Sequence, residues 1–329
     1  MRNKRNVYIV CLSLAVLAVF VSFRNAADGA GRSFPVGADG EAYHVLVLGK
    51  DDASGLTDVM MLVSVDVQNG RACLMQIPRD TYFRYTENNY RKINGAMHAL
   101  GGAEALSKML ESALSTSIDS YVVMDLDFVE QMVDLLGGIP MDVPCDMDYD
   151  DPAQDLSIHL KQGYQTLTGA QAVQFIRYRS GYLRGDIERI DAQKLFMAAF
   201  FQTANERLGE SDLSKLALAA MRSVKTDMRP DRVLSLLRGA RSVPAENITI
   251  VTLPGEEVRS EISGAWYYVA SRTGLAEVLE TQFGVVGASA CTDPAHLFGN
   301  VKREEFERVY RSDIAPRYFI VGTLQNAKS

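Results

Sequence analysis

Charged side chains stand at the ends of three apolar runs, where a β-sheet would present them to a crevice. Asp51 follows VLVLGK, Asp58 directly precedes VMMLVSV, and Arg79 follows LMQIP. Carboxylates that converge at a sheet edge offer hard oxygen ligands, which suit Mg²⁺ bound together with substrate phosphates. Any one of these residues alone would be an ordinary solvated turn residue. Three such junctions in one short stretch instead favour a site for a metal and a phosphate.

A second group of charged residues is rich in arginine and comprises Arg177, Arg179, Arg184 and Arg189. On a continuous helix the first two would point about 200° apart, so they can converge only where a helix ends. Gly181 and Gly185 indicate that ending, and Arg189 and Gln193 then share one face of the next helix. A helix face of this kind is often only solvated. Here neighbouring aromatic residues would partly desolvate the guanidinium groups, which favours bidentate contacts with phosphate or carboxylate.

Several common kinds of site are missing from the sequence. It has no GxSxG, HExxH, Walker A or GxGxxG motif, and its four histidines show no ligand spacing, which argues against zinc and nucleotide-loop chemistry. The four cysteines form neither a metal pattern nor a disulfide framework. With 34 basic and 41 acidic side chains the net charge is −7. A nucleic-acid partner is therefore not expected, and any phosphate site must be local.

The segments that must position these residues alternate between strand and helix patterns. Strands are predicted at 43–48, 59–65, 72–77, 121–126, 141–143 and 247–253, with a hairpin turn at Asn69-Gly70. Helices are predicted at 102–114, 127–136, 169–177, 186–208, 212–224 and 230–239, with Thr168 as an N-cap and Pro230 in a first turn. This alternation predicts an α/β fold in which helices cover both faces of a central sheet.

The N-terminal segment predicts attachment to the cell membrane by a single span. Residues 7–23 are uncharged, and a helix of that length spans about 25 Å, which is just enough for a bilayer core. Three basic residues precede the run, so the positive-inside rule places residues 1–6 in the cytoplasm and the C-terminal domain outside the cell. A cleaved signal peptide is the alternative. Residues 24–42 then predict a flexible linker, 43–287 a catalytic domain and 288–329 a C-terminal extension.

Taken together, the motifs between residues 43 and 268 resemble those of the LytR-CpsA-Psr family of bacterial cell-wall glycopolymer ligases. VLVLGKD resembles the family's first strand and the Asp that follows it, and TDVMMLVSVD resembles the R-S-D-T-x-x-L-x-S segment. QIPRDT is close to the S-I-P-R-D-T box, and YRKINGAMHALGG resembles the K-I-N-A-A-Y-x-x-G-G stretch. The acidic YDDP turn, the R-x-R ending of QFIRYR and the segment GDIERIDAQ, which is similar to G-D-x-x-R-x-x-R-Q, extend the resemblance.

The resemblance implies a three-layer α-β-α domain with a central mixed sheet, which holds a polyprenyl (pyro)phosphate-linked glycan in an apolar groove. It implies a Mg²⁺-dependent transfer of that glycopolymer, of the teichoic acid or capsule type, onto a peptidoglycan hydroxyl. Asp51, Asp58 and Arg79 would be the catalytic residues, with the two aspartates holding the metal. The phosphates or the lipid would be bound by Arg177, Arg179, Arg189, Gln193, Lys92 and Asn94.

The sequence departs from the family pattern at two positions. Leu56-Thr57 stands where the family has Arg-Ser, and Ala192 stands where a second helix arginine is common. These departures keep two other functions open. One is a membrane-tethered protein that binds polyprenyl phosphate or glycan without turnover, and the other is a pyrophosphate hydrolase with water as the acceptor.

Overall fold

The computed structural model describes residues 42–50, 56–86, 89–151, 156–178, 186–207, 224–241, 243–261, 263–288 and 314–321. Its strands, in chain order, are β1 Tyr43–Lys50, β2 Thr57–Asp66, β3 Arg71–Gln76, β4 Tyr82–Thr86, β5 Asn89–Lys92, β6 Ser120–Met124, β7 Ile139–Val143, β8 Met147–Asp151, β9 Leu156–Leu160, β10 Gly163–Leu167, β11 Lys225–Thr226, β12 Ile248–Thr252, β13 Gly255–Arg259, β14 Trp266–Ala270 and β15 Tyr318–Ile320. Its α-helices are α1 Ala96–Ala99, α2 Ala103–Leu114, α3 Leu126–Leu135, α4 Gly169–Arg177, α5 Asp186–Arg207, α6 Pro230–Arg241 and α7 Arg272–Gln282.

The described residues form two compact units, which we name by their content. The sheet unit contains Val36–Val122 and Ala245–Gly322, and the helical unit contains Val123–Pro244. In the sheet unit the strand order is β6-β1-β2-β3-β12-β15. The sheet is mixed, because β12 pairs with β3 in parallel whereas β1 with β2, β2 with β3 and β12 with β15 pair antiparallel.

The core of the sheet unit follows from its continuous apolar runs. Seven of the eight residues of β1 are buried, which is typical of a strand in the middle of a covered sheet. The β2–β3 hairpin closes at Gly70, whose φ of 60° suits glycine. There the Asp66 carboxylate accepts hydrogen bonds from the Asn69 backbone and from Arg71 Nη2. The predicted hairpin is thus confirmed.

The helical unit packs α4 beside α5, with the rings of Phe175 and Phe196 5.9 Å apart. The β8–β9 hairpin and the antiparallel pair of β7 with β10 accompany these helices. The helix α4 begins at a capping box, in which Thr168 accepts from the Gln171 backbone and Gln171 accepts from the Thr168 backbone. The predicted N-cap is therefore confirmed, as is Pro230 in the first turn of α6.

Several segments differ from the predictions. The strand predicted at 121–126 ends at Met124, because the Asp125 side chain accepts from the Phe128 backbone and caps α3. The hairpins β4–β5, β8–β9 and β13–β14 were not predicted. The extension at 288–329 contributes β15, which adds an edge strand beside β12. The helix predicted at 212–224 and the span predicted at 7–23 lie outside the described residues. Within those that are described, no helix has the length and apolar character to cross a membrane.

Candidate functional site

The turn after β3 brings two cations to one carboxylate. Lys92 Nζ lies 2.9 Å from Asp80 Oδ1, and Arg79 Nε lies 4.0 Å from the same oxygen. The side chain of Arg79 is 10% exposed, whereas those of Asp80 and Lys92 are 33% and 25% exposed. A guanidinium and an ammonium this close together form a local site for an anion on an otherwise acidic protein.

Backbone hydrogen bonds hold this cluster together. Thr81 donates to the Pro78 carbonyl at 2.9 Å and closes the turn that carries Arg79 and Asp80. The Ile93 backbone donates to Thr81 O at 2.9 Å, and the Asn94 backbone donates to Arg79 O at 3.1 Å. These two bonds bring the end of β5 against the turn, so Lys92 meets Asp80.

Aromatic side chains flank the cluster. Lys92 Nζ lies 5.8 Å from the centroid of the Tyr267 ring, within the range of a cation–π contact. The Tyr267 ring meets that of Tyr82 edge-on at 5.1 Å. The Tyr268 backbone donates to Asp80 O at 2.9 Å, which joins β14 to the turn. Tyr267 therefore limits the positions that the Lys92 ammonium can take.

Leu56 lies against the short helical turn Ile93–Gly95. A Cβ atom on Gly95 would stand 3.0 Å from the Tyr85 hydroxyl and 3.9 Å from Leu56 Cδ2, so a larger residue there would have to displace the Tyr85 hydroxyl by a few tenths of an ångström. The Tyr85 hydroxyl donates to Lys92 O. Burial raises the pKa of Tyr85 to about 12, although the Gly95 backbone and Arg91 act to lower it. The chain therefore has an apolar side chain where the family pattern has an arginine.

Two buried polar atoms belong to the residues next to Leu56 and Gly95 in sequence. Asn94 Nδ2 and Thr57 Oγ1 have no hydrogen-bond partner among the described residues, and their side chains are 4% and 1% exposed. Unsatisfied buried polar groups are costly, and in native proteins they tend to mark functional sites. Through its backbone hydrogen bond to Arg79 O, Asn94 lies beside the cluster of Arg79 and Lys92, and its role in phosphate binding stays a prediction.

Asp58 occupies an irregular position in the sheet. The register pairs Gly49 with Val59 and Lys50 with Thr57, so Asp58 is passed over as the extra residue of a β-bulge. Bulges commonly redirect side chains next to active sites. Asp51 follows Lys50 directly in sequence but lies outside the described residues, as does the side chain of Asp58. The described residues hold no group of three or more histidine, cysteine, aspartate or glutamate side chains that could bind a metal.

In the helical unit, α4 ends at Arg177, because Tyr178 adopts extended backbone angles of −66° and 142°. The predicted helix ending within the R-x-R motif is therefore confirmed. The Nε atom of Arg177 is buried, and the Tyr178 hydroxyl donates to Asp146 O at 3.4 Å. Arg179 and Arg184 lie outside the described residues.

The backbone of α5 carries Arg189 and Gln193, whose side chains are not described. Their spacing places both on the helix face that also bears Ala192 and Phe196, which are 3% and 0% exposed. Ala192 is thus a core residue at the position where the family often has a second arginine.

The structure brings together Arg79, Lys92 and Asn94 of the predicted set within the sheet unit. Three further residues of the set, Arg177, Arg189 and Gln193, belong to the helical unit. Sequence reasoning missed the roles of Asp80 and Tyr267 as the partners of Lys92. The signal for Asp80 was its position directly after Arg79 at the end of an apolar run, and the signal for Tyr267 was its place in the aromatic run Trp266-Tyr267-Tyr268.

A mixed α/β fold with arginine, lysine and carboxylate side chains at a turn beside its sheet defines a protein equipped to bind an anionic group. The chain belongs to the LytR_cpsA_psr family, whose sequence profile matches residues 23–284.

Two curated relatives illustrate the membership. The polyisoprenyl-teichoic acid–peptidoglycan teichoic acid transferase TagV of Bacillus subtilis is 27% identical over 248 residues, which cover 73% of this chain and 63% of that protein. TagU of Oceanobacillus iheyensis, which bears the same enzyme name, is 29% identical over 245 residues, 70% of this chain and 72% of the relative. The chain thus spans less than two thirds of the length of TagV.

Solved structures share the fold. The crystal structure of B. subtilis TagV is 26% identical, covers 74% of this chain and 96% of its own, and has a TM-score of 0.62. The structure of TagT bound to LI-WTA covers 80% of this chain and 100% of its own, with 21% identity and a TM-score of 0.57. The similarity of both folds to that of this chain agrees with the predicted α/β class and its central mixed sheet.

Proposed function

We propose that this chain is a phosphotransferase that moves a polyprenyl-(pyro)phosphate-linked cell-wall glycopolymer onto a peptidoglycan hydroxyl. The observation that carries the proposal is the convergence of Arg79 and Lys92 on Asp80 at the turn after β3. Membership of the family and the names of the relatives TagV and TagU support the substrate class.

In the proposed reaction the acceptor hydroxyl oxygen forms a bond to the phosphorus nearest the glycan. The bond from that phosphorus to the lipid-side phosphate breaks, lipid phosphate leaves with the electron pair, and the hydroxyl proton passes to solvent. Arg79 and Lys92 offset the charge that builds up on the phosphate oxygens, and Arg177, Arg179, Arg189 and Gln193 hold the donor. Positioned cations of this kind supply most of the acceleration in phosphoryl transfer.

Mg²⁺ belongs to the same proposal. Its donor set would be Asp51 and Asp58, two carboxylates, and hard oxygen ligands are what Mg²⁺ prefers. The β-bulge at Asp58, next to the end of β1, is compatible with a ligand at that edge. When bound, the ion would neutralise phosphate charge.

The proposal includes the location of the protein. Residues 7–23 would anchor it in the membrane, and the domain, with the three-layer arrangement of its family, would face the cell wall. Protease added to intact cells should then digest the domain. Full protection of the domain would contradict this topology.

A second candidate is a binding protein without turnover, and one observation favours it. Leu56 is partly buried and Ala192 is buried at the two positions where the family pattern has arginines. Fewer cations would weaken stabilisation of the transition state while leaving ground-state binding in place.

The test is transfer of a polyprenyl pyrophosphate-linked saccharide to a peptidoglycan fragment in the presence of Mg²⁺. We expect transfer by the wild type, and we expect Asp58→Asn to abolish it without unfolding, because this change removes charge at constant volume. Asp127→Asn, an exposed residue of α3, is the matched control and should transfer at the wild-type rate. Lipid binding without transfer would favour the binding protein, and release of lipid phosphate without acceptor would favour a hydrolase.

A further inference from the structure

A cavity of about 470 Å³ lies in the sheet unit at the N-terminal end of β1. Its lining includes Ala42, His44, Glu111, Ser117, Phe283 and Val286. Its volume is within the range of sites that bind small molecules. Six residue steps of strand lead from His44 to Lys50, which corresponds to about 20 Å at ~3.3 Å per step. The residues that line the cavity do not include Arg79, Asp80 or Lys92, so the cavity is distinct from that cluster.

One wall of this cavity is electronegative. Glu111 lies in the last turn of α2, where the final carbonyl groups carry a partial negative charge. Its Oε1 atom accepts a hydrogen bond from the Ile118 backbone at 2.8 Å, which holds the carboxylate in place. Its Oε2 atom has no hydrogen-bond partner among the described residues. Lys108, one turn earlier on α2, pairs with Glu104 at 2.7 Å and also interacts electrostatically with Glu111.

The opposite wall is apolar. Phe283, which is 4% exposed, packs its ring 5.6 Å from that of His44. His44 Nδ1 lies 2.9 Å from Ser117 O and 3.2 Å from Thr116 Oγ1, which fixes the position of the imidazole ring. Val286 is 93% exposed at the rim. The described lining thus combines one carboxylate and an aromatic wall, and it contains no lysine or arginine.

We propose that this cavity binds a small primary ammonium ion that carries an apolar body. The ammonium would donate to Glu111 Oε2 at the negative end of α2, and the apolar body would lie against Phe283 and Val286. Charge complementarity selects a cation, because the carboxylate and the helix end act in the same direction. The proposal does not depend on the glycopolymer transferase function, since it uses other residues at the other end of β1.

The experiment measures binding to the purified full-length chain by ligand-observed NMR. The probes are phenethylamine, 2-phenylethanol and phenylacetate, which share one ring but differ in charge. We expect saturable binding of phenethylamine, at least about tenfold weaker binding of the alcohol, and the weakest binding of phenylacetate, since a charge-assisted hydrogen bond is about twice as strong as a neutral one. Glu111→Gln retains the acceptor for the Ile118 backbone and should weaken phenethylamine binding about tenfold. Asp127→Asn, which changes an exposed carboxylate on α3, should leave it unchanged.

A second variant tests the proposal independently of whether Glu111→Gln folds correctly. Val286→Lys puts a positive charge on a highly exposed rim residue, so the fold should persist while phenethylamine binding weakens. Equal affinity of wild type, Glu111→Gln and Val286→Lys for phenethylamine would overturn the proposal. A preference for phenylacetate, or the absence of saturable phenethylamine binding to the wild type, would overturn it equally.

Discussion

The ammonium of Lys92 is held 2.9 Å from Oδ1 of Asp80, at the end of β5 and in the turn after β3 respectively. The pair is partly exposed, so its contribution to stability is small, about 0.2–1 kcal/mol. Its consequence for function is larger, because Asp80 fixes the place of a cation that would otherwise be mobile. The Arg79 guanidinium and the Tyr267 ring restrict the same ammonium further.

Asp80→Asn tests this relationship. Loss of the carboxylate should free the Lys92 ammonium and lower kcat/KM for transfer about tenfold, equivalent to ~1.4 kcal/mol of transition-state stabilisation. The free energy of unfolding should fall by less than about 1 kcal/mol. The control is Glu104→Gln, which breaks the exposed pair with Lys108 and should leave transfer unchanged. If both variants transfer at the wild-type rate, Asp80 has no role in positioning Lys92.

Leu56→Arg tests the departure from the family pattern. Leu56 is partly buried near Gly95, so an arginine there should bury a charge without a matched partner and impair an active enzyme. Leu56→Met keeps the apolar contact and should retain activity, since the two side chains have similar volumes. The measurement is the rate of transfer for the three proteins. A faster rate for Leu56→Arg would instead indicate that the missing arginine limits turnover.

Arg177→Lys tests whether binding of the donor needs a planar guanidinium. A bidentate contact with phosphate contributes about 1.5–3 kcal/mol, so the variant should bind polyprenyl phosphate about 10- to 150-fold more weakly although it keeps the charge. Arg179→Lys should act in the same direction.

The matched control for Arg177 is another arginine of the helical unit. Arg207 Nη1 donates to the carbonyls of Leu136, Gly137 and Gly138 at 2.9–3.1 Å. Arg207→Lys should therefore lower stability and leave the affinity for lipid unchanged. Equal binding of polyprenyl phosphate by wild type and Arg177→Lys would contradict a planar clamp.

Thr168→Ala tests the capping box that begins α4. The substitution removes the acceptor for the Gln171 backbone, so the free energy of unfolding should decrease by about 1 kcal/mol. Urea denaturation of the variant, with Thr168→Ser as a control that retains the hydroxyl, measures the change. A loss as large in Thr168→Ser as in Thr168→Ala would show that the hydroxyl cap is not the cause.

Tyr85 gives a prediction about pH. Burial raises its pKa to about 12, from about 10 in the unfolded chain. Between these values the unfolded chain loses the phenolic proton while the folded protein keeps it. The stabilisation that Tyr85 provides is therefore fully present below pH 10 and is lost as pH rises towards 12.

Chemical denaturation at pH 9 and pH 11 measures this effect. The wild type should lose up to about 1.4 kcal/mol per pH unit from this group. Burial also raises the pKa of Tyr268, so Tyr85→Phe should reduce the loss of stability but not abolish it. An identical loss in wild type and Tyr85→Phe would show that Tyr85 does not titrate as argued.

The sequence by itself determined those features that depend on neighbours in the chain. The hairpin at Asn69-Gly70, the beginning of α4 at Thr168 and the end of α4 at Arg177 follow from local hydrogen bonds and from backbone angles that glycine, threonine and their neighbours favour. The prediction that the strand continues to Leu126 was wrong, and the reason is also local. The Asp125 side chain caps α3 by accepting a hydrogen bond from the Phe128 backbone, and this stabilises a helix where the apolar run alone would favour a strand.

Only the tertiary structure decided which distant residues meet. Lys92 meets Asp80 because the backbones of Ile93 and Asn94 bond to the turn after β3, and Tyr267 reaches Lys92 from a hairpin far along the chain. Likewise, β15 completes the sheet by pairing with β12 across a long connection. These contacts depend on closing long loops and on the register between strands, and neither leaves a pattern in the residues next to the contact.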